Sequence, residues 1–251
     1  MLAMLKKEIK EIFRTYRWLL LPCVFIFLGL AQPLSYKLMP ALLENANTPG
    51  ITISITALPS PEQVLASVFG QYSQMGILMI ILLVMGTVAQ EKNSGVAAAV
   101  LVKPISRANY LGAKIVAYTL LTAVSFTLGM VATGYYTNIL IGGFSVGSVV
   151  LGGLVYLVYL LVAVALTVLT STVFNSQVAA GGSALLGLMA LTLLPKLGVY
   201  TKEIFPGALV DQAIKIITVH SGEPLKAVLF NLMLILIMLC AAWYSLNKQE
   251  L

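Results

Sequence analysis

Six apolar stretches govern what this chain can fold into: about 18–38, 61–90, 115–136, 149–170, 178–194 and 227–246. A bilayer's hydrocarbon core is about 30 Å thick and takes roughly 20 apolar residues to cross as a helix. No backbone polar group can stay unpaired inside it, which leaves helices as the economical solution for such segments. The expectation is an all-α polytopic membrane protein with six transmembrane helices, residues 1–251 forming one transmembrane domain. Composition agrees: 59% of residues are hydrophobic, only 10% are charged, and mean hydropathy is +0.97, against roughly 25% charged in soluble domains. The start of the chain does not read as a cleavable signal, because its basic stretch is long and no small-residue cleavage pattern follows Leu19–Leu30. The 178–194 stretch is the shortest, and it is rich in Gly and Ala.

The segments between the spans carry their own signals. Residues 1–17 place Leu5, Ile9, Ile12, Phe13 and Tyr16 at helical spacing, with Lys6, Lys7, Lys10, Arg14 and Arg17 largely on other faces. This predicts an amphipathic helix in the plane of the membrane, its cations towards anionic head groups. Trp18 would anchor the first span at the interface, and Pro22 and Pro33 would kink it. Ser60-Pro61-Glu62-Gln63 reads as a capping box with Pro at the first helical position. A helix from there to Gln90 is about 45 Å long. It therefore starts above the outer surface, with the polar turn Gln71-Tyr72-Ser73-Gln74. Tyr135 and Tyr136 mark the outer interface, and Trp243 and Tyr244 the inner one. Residues 195–226 form an outer segment in which 211–217 could be a short amphipathic helix, on or dipping into the outer leaflet.

Charge sets the orientation. Ten of the fifteen basic residues fall on the side of the termini and the 91–114 loop, and that side carries the whole net charge of +6. By the positive-inside rule it is the cytoplasmic side of a bacterial-type plasma membrane. Topology and anionic lipid account for a pI near 9.3, and nucleic acid is not needed to explain it.

Several chemistries lack their residues. The interiors of spans two to six show no charged side chain, which disfavours ion- or proton-coupled transport. His220 is the only histidine, which excludes His-pair metal sites. It is expected to sit solvated in the outer segment. Cys23 and Cys240 read as buried thiols. No catalytic, cofactor-binding or metal residue is expected. The Gly181-Gly182-Ser183-Ala184 run reads as close helix packing rather than an intramembrane serine nucleophile, because no span holds a histidine base. Gln71, Gln74, Tyr156 and Tyr159 are candidates for lining a path, with packing between helices the blander account of the two tyrosines.

The densest chemistry lies in QEKNSGVAAAVLVKPISRANYLGAKIVAY, residues 90–118. Asn93 or Ser94 can cap a short helix, Pro104 ends it, and Ser106 can cap a second helix that runs on into the membrane. Glu91 and Arg107 could pair across this elbow. Glu91, Gly95, the Pro104-x-Ser106-Arg107 elbow and the six-span plan resemble type-2 ABC (ABC-2) transporter permeases. That resemblance implies that the helix after Glu91 is a coupling helix docking in a cleft of a cytosolic ATPase. Glu91, Gly95, Ala98, Leu101, Lys103, Pro104, Ser106 and Arg107 would form the coupling surface. The Ala/Val-rich run at 96–102 departs from the family's more charged pattern and implies a mostly apolar contact.

The resemblance further implies an exporter of a hydrophobic or amphipathic substrate. A second permease copy or paralogue would complete the path, and ATP and Mg would be held by the partner ATPase. The chain itself has no G-x-x-x-x-G-K-[ST] phosphate loop. The alternative reading is a non-transporting sensor or immunity component that binds a peptide or lipid at the outer segment.

Overall fold

The structure is a computed structural model that describes residues 2–45, 59–97, 106–193 and 203–249. All regular structure among these residues is helical. Helix α1 (Leu2–Arg14) turns at Tyr16, whose positive φ lets the chain reverse into α2 (Arg17–Asn45). Next come α3 (Pro61–Gln71), a π-helical turn (Tyr72–Gly76), α4 (Ile77–Val84) and α5 (Gly86–Asn93), which together make one long arm. Then follow α6 (Arg107–Leu140), α7 (Val146–Val173), α8 (Gln177–Leu193), α9 (Pro206–Val219) and α10 (Leu225–Lys248). Five helical stretches are long and apolar enough to cross a membrane: 17–39, 61–93, 107–140, 146–173 and 225–248. The 17-residue α8 falls short by length.

Local sequence explains most boundaries. Ser60 Oγ accepts from the Gln63 N–H at 3.3 Å and the Gln63 side chain accepts from the Ser60 N–H at 3.0 Å, so the expected capping box starts α3. Ser106 Oγ likewise accepts from the Asn109 N–H at 3.2 Å and starts α6. Helix α2 runs continuously through Pro22 and Pro33.

Helix α7 is the hub, with α4, α5, α6, α8, α9 and α10 against it. In its most apolar stretch 61% of residues are buried, against 22% in α2 and α10, which lie at the periphery. An aromatic cluster fills the centre. Tyr156 stacks on Phe69 with centroids 4.4 Å apart, and Phe25, Tyr72, Phe126 and Tyr159 close around them. Tyr72 sits in the π-helical turn, and its hydroxyl donates to the Phe25 carbonyl at 2.9 Å. The position nearest that hydroxyl is Gly129 of α6, where a Cβ would lie 2.5 Å from it. Helices α2 and α6 can therefore approach closely only at glycine.

In α1 the buried stripe is Met4, Glu8 and Ile12 against α6, whereas Ile9, Phe13 and Tyr16 stay exposed. The stripe that packs on the protein is thus distinct from the exposed apolar residues, which are left free for the membrane, and Glu8 meets a cationic partner inside. The outer-segment helix spans Pro206–Val219, longer than expected, and buries Leu209, Ala213, Ile216 and Ile217 within the bundle. Its apolar face meets α7 and α3. His220 caps its end, exposed, with Nδ1 2.7 Å from Ser148 Oγ. The two cysteines are exposed on the helix surfaces rather than buried.

Candidate functional site

Both flanks of the elbow lie at the end of the bundle where α1, α5, the start of α6, the end of α7 and the end of α10 converge. Glu91, near the end of α5, is buried. Its Oε1 accepts from Lys7 Nζ at 2.5 Å. Its Oε2 accepts from Tyr110 Oη at 2.5 Å and lies 3.1 Å from Lys114 Nζ. Lys114 and Glu8, each 1% exposed, pair at 3.1 Å. Lys7 also reaches Glu8 at 3.2 Å and Glu11 at 3.6 Å. One network of two ammonium groups, three carboxylates and a phenol therefore ties α1, α5 and α6 together. Burial works against the Lys7 charge, but the Glu91 hydrogen bond and the Glu8 and Glu91 carboxylates outweigh it and hold its pKa above the usual lysine range. Oxygens of Glu8, Glu11 and Glu91 come within 4.8 Å of one another, a spacing a cation could use. Lys7 and Lys114 already stand among them, so the negative charge is met from within the protein.

Arg107 does not pair with Glu91. Its Nη1 donates to the carbonyls of Leu246 at 2.5 Å, Asn247 at 3.0 Å and Gln249 at 3.0 Å. It thereby caps the C-terminus of α10, where the last carbonyls lack intrahelical partners and the helix dipole favours a cation. Lys92 does the same for α7: its Nζ donates to the Thr172 carbonyl at 2.8 Å and to Gln249 Oε1 at 3.0 Å. Asn93 Nδ2 donates to the Asn175 carbonyl at 2.7 Å. Arg17 donates to the Tyr118 hydroxyl and joins the root of α2 to α6.

The remaining expected coupling residues divide. Gly95 adopts φ +72°, a left-handed turn that suits glycine, directly after α5. Ser106 caps α6 as expected. The Ser94 hydroxyl donates back to the Gln90 carbonyl at 2.9 Å, and the short helix that Asn93 or Ser94 was expected to cap lies mostly outside the described residues. Ala98, Leu101, Lys103 and Pro104 lie outside the described residues. Of the candidate path residues, Gln74 is exposed and Gln71 half-buried, its Oε1 without a partner. Tyr156 and Tyr159 are both buried in the aromatic cluster, as packing between helices would place them, the Tyr156 hydroxyl 2.9 Å from Ser73 Oγ. Ser183 Oγ donates to the Ala180 carbonyl at 3.0 Å, in keeping with a packing role.

Sequence reasoning missed Lys7, Glu8, Tyr110 and Lys114 as one unit. The available signal was Glu8 at i+4 from Met4 and i−4 from Ile12, an acid on a stripe that must face something. Lys114 sits well inside the helix that begins at Arg107, buried because two carboxylates compensate it.

Comparison with known proteins agrees with this architecture. An uncharacterized transmembrane protein of Bacillus subtilis (strain 168), YxlG, is 32% identical over 194 residues, covering 76% of this chain and 74% of its own length. The sequence profile of the family described as ABC-2 family transporter protein matches residues 12–245. The chain therefore belongs to the ABC-2 family of transporter proteins, as a multi-pass membrane permease component.

Proposed function

We propose that this chain is the membrane-spanning subunit of an ATP-driven exporter, coupled to a separate cytosolic ATPase through residues 91–107. Permeases of this family generally work with a cytosolic ABC ATPase. The observation that carries the proposal is the double anchoring of the elbow. Its first flank is fastened to α1, α6 and α7 through Glu91, Lys92 and Asn93, and its second to α10 through Arg107. A push on the intervening segment would reach four helices at once, which is what a motor acting on a passive bundle requires. A second copy or paralogue would complete the path. The cargo class is hydrophobic or amphipathic. An apolar groove of about 360 Å³ between α6 and α7, lined by Phe126, Met130, Phe144, Val149 and Leu157, supports it.

The test is purification from native membranes in mild detergent. An ATP-binding protein is expected in stoichiometric amount, with its hydrolysis stimulated by the permease. A variant with Glu91→Ala and Arg107→Ala should lose the stimulation. A protein that purifies alone, with no ATPase responding to it, overturns the reading. The sensor alternative draws on an outer pocket of about 470 Å³ lined by Glu203, Gln212, Lys215, Glu223 and Lys226. Unchanged hydrolysis together with peptide binding there would favour that alternative.

A further inference from the structure

We propose that Ser171 is a positioning residue through which displacement of the elbow's first flank reaches the fourth span; this rests on the coupling reading above. Hydroxyls in membrane helices ordinarily bond a carbonyl of their own preceding turn. Ser125, Thr133 and Thr167 do so here, donating to Leu121, Gly129 and Ala163. Ser171 does not. Fully buried near the end of α7, its Oγ accepts from the Val88 and Ala89 N–H groups, each at 3.1 Å, and donates to the Met85 carbonyl at 2.8 Å.

These three groups lie at Met85 and in the turn after it, where α4 gives way to α5, while the Met85 N–H still bonds the Ile81 carbonyl at 2.8 Å. A side chain inserted into the helical ladder is a recognised cause of a helix break. The neighbouring carbonyl of Val84 is met by the Thr87 hydroxyl at 2.8 Å. Thr87 and Ser171 thus supply partners to the backbone groups at the break, as burial demands.

The surroundings fasten the same segment to the end of α7 and the start of α8. A Cβ on Gly181 of α8 would lie 2.6 Å from Met85 Sδ, and one on Gly86 would lie 3.3 Å from the Gln177 side chain. Further along, Lys92 and Asn93 bond the Thr172 and Asn175 carbonyls. The segment 85–93 is therefore held along its length by residues 171–181, while its continuity with α4 is relaxed. It moves with the fourth span, and Met85 is the joint that spares α4.

The variant Ser171→Ala leaves a foldable protein, because the Ala89 N–H can take the Met85 carbonyl in an ordinary helical turn. Spin labels placed at Leu78→Cys, Val96→Cys and Val173→Cys, all exposed positions, report the joint once Cys23 and Cys240 are Ser. In the permease–ATPase complex, trapping ATP should shift the 78–96 distance and leave 96–173 unchanged. Ser171→Ala should broaden the 96–173 distribution and let ATP shift it, and Ser171→Thr, which keeps the hydroxyl, should restore the native behaviour. An unchanged 96–173 distance in Ser171→Ala overturns the proposal, as does equal loss in Ser171→Thr. If the native protein brings no ATPase, the coupling reading fails by that result alone. The nucleotide-free width of the 96–173 distribution then still decides whether Ser171 holds the joint.

Discussion

A buried ammonium group needs partners in place of the water it has lost, and Lys114 has two. Glu8 reaches it from α1 and Glu91 from α5, both at 3.1 Å. Removing one member of a buried pair leaves its partner's charge uncompensated, a loss of about 3–5 kcal/mol in soluble proteins. Lys7 remains 3.2 Å from Glu8, so Lys114→Met should fall near the lower end of that range, read as a drop in the midpoint of thermal unfolding in detergent. The double variant Glu8→Gln with Lys114→Met should recover part of the loss, because neither charge is then stranded. A double variant less stable than the sum of the singles would contradict the pairing. Tyr110→Phe removes a short bond to the Glu91 carboxylate and nothing else. Hydrogen bonds to charged groups contribute about 1.5–3 kcal/mol, and a loss of stability within that span, read as a lower unfolding midpoint, is expected. Of this network, Glu91 was legible from its place at the end of an apolar stretch. Glu8, Lys114 and Tyr110 were not, because what identifies them is a contact between elements distant in the chain.

At the scale of elements, caps were the most legible features and helix faces the least. Ser60 and Ser106 announce their helices because capping is a contact within one turn. The π-helical turn at Tyr72–Gly76 has no such local cause. Its residues read only as a polar break, whereas the reach of Tyr72 to the Phe25 carbonyl of α2 belongs to the tertiary packing. Helix α1 shows the same limit: its sequence marks an apolar face, whereas the stripe that packs on the protein is set by a lysine on α6. Arg107 was legible as important but not as the cap of α10, whose last turn lies far away in sequence. Its role sets a prediction. The guanidinium is a rigid fork of donors, whereas a lysine ammonium is a point charge on a flexible stem. Arg107→Lys should therefore loosen the end of α10, seen as faster hydrogen exchange at amides 244–249, with exchange in α7 left as it is. Equal exchange in the native protein and the Arg107→Lys variant would mean that the carbonyls do not depend on the guanidinium.

For the whole molecule, the number of crossings follows from where the helix ends lie. The end of α10 bonds Arg107 and Lys92, so it shares the basic end of the bundle with the start of α6 and the end of α7. The start of α8 lies there too, since Gly181 meets Met85 and Gln177 meets Gly86. Helix α9 lies at the opposite end, because a Cβ on Gly152, near the start of α7, would touch Ile217, and Ser148 meets His220. The chain must pass from one end to the other between Gln177 and Pro206, although α8 alone rises only about 25 Å of the roughly 30 Å core. With the five long helices, a crossing through this passage would give six, an even number, with both termini on one side. The positive-inside rule then predicts that side to be the cytoplasm. With Cys23 and Cys240 replaced by Ser, the exposed positions Ser94 and Ser221 can each be changed to Cys and offered a membrane-impermeant maleimide in intact cells. Ser221→Cys should label at once and Ser94→Cys only after the membrane is opened. Labelling of both from the same side would remove the crossing through α8. The reverse pattern would put the elbow outside, out of reach of any cytosolic motor.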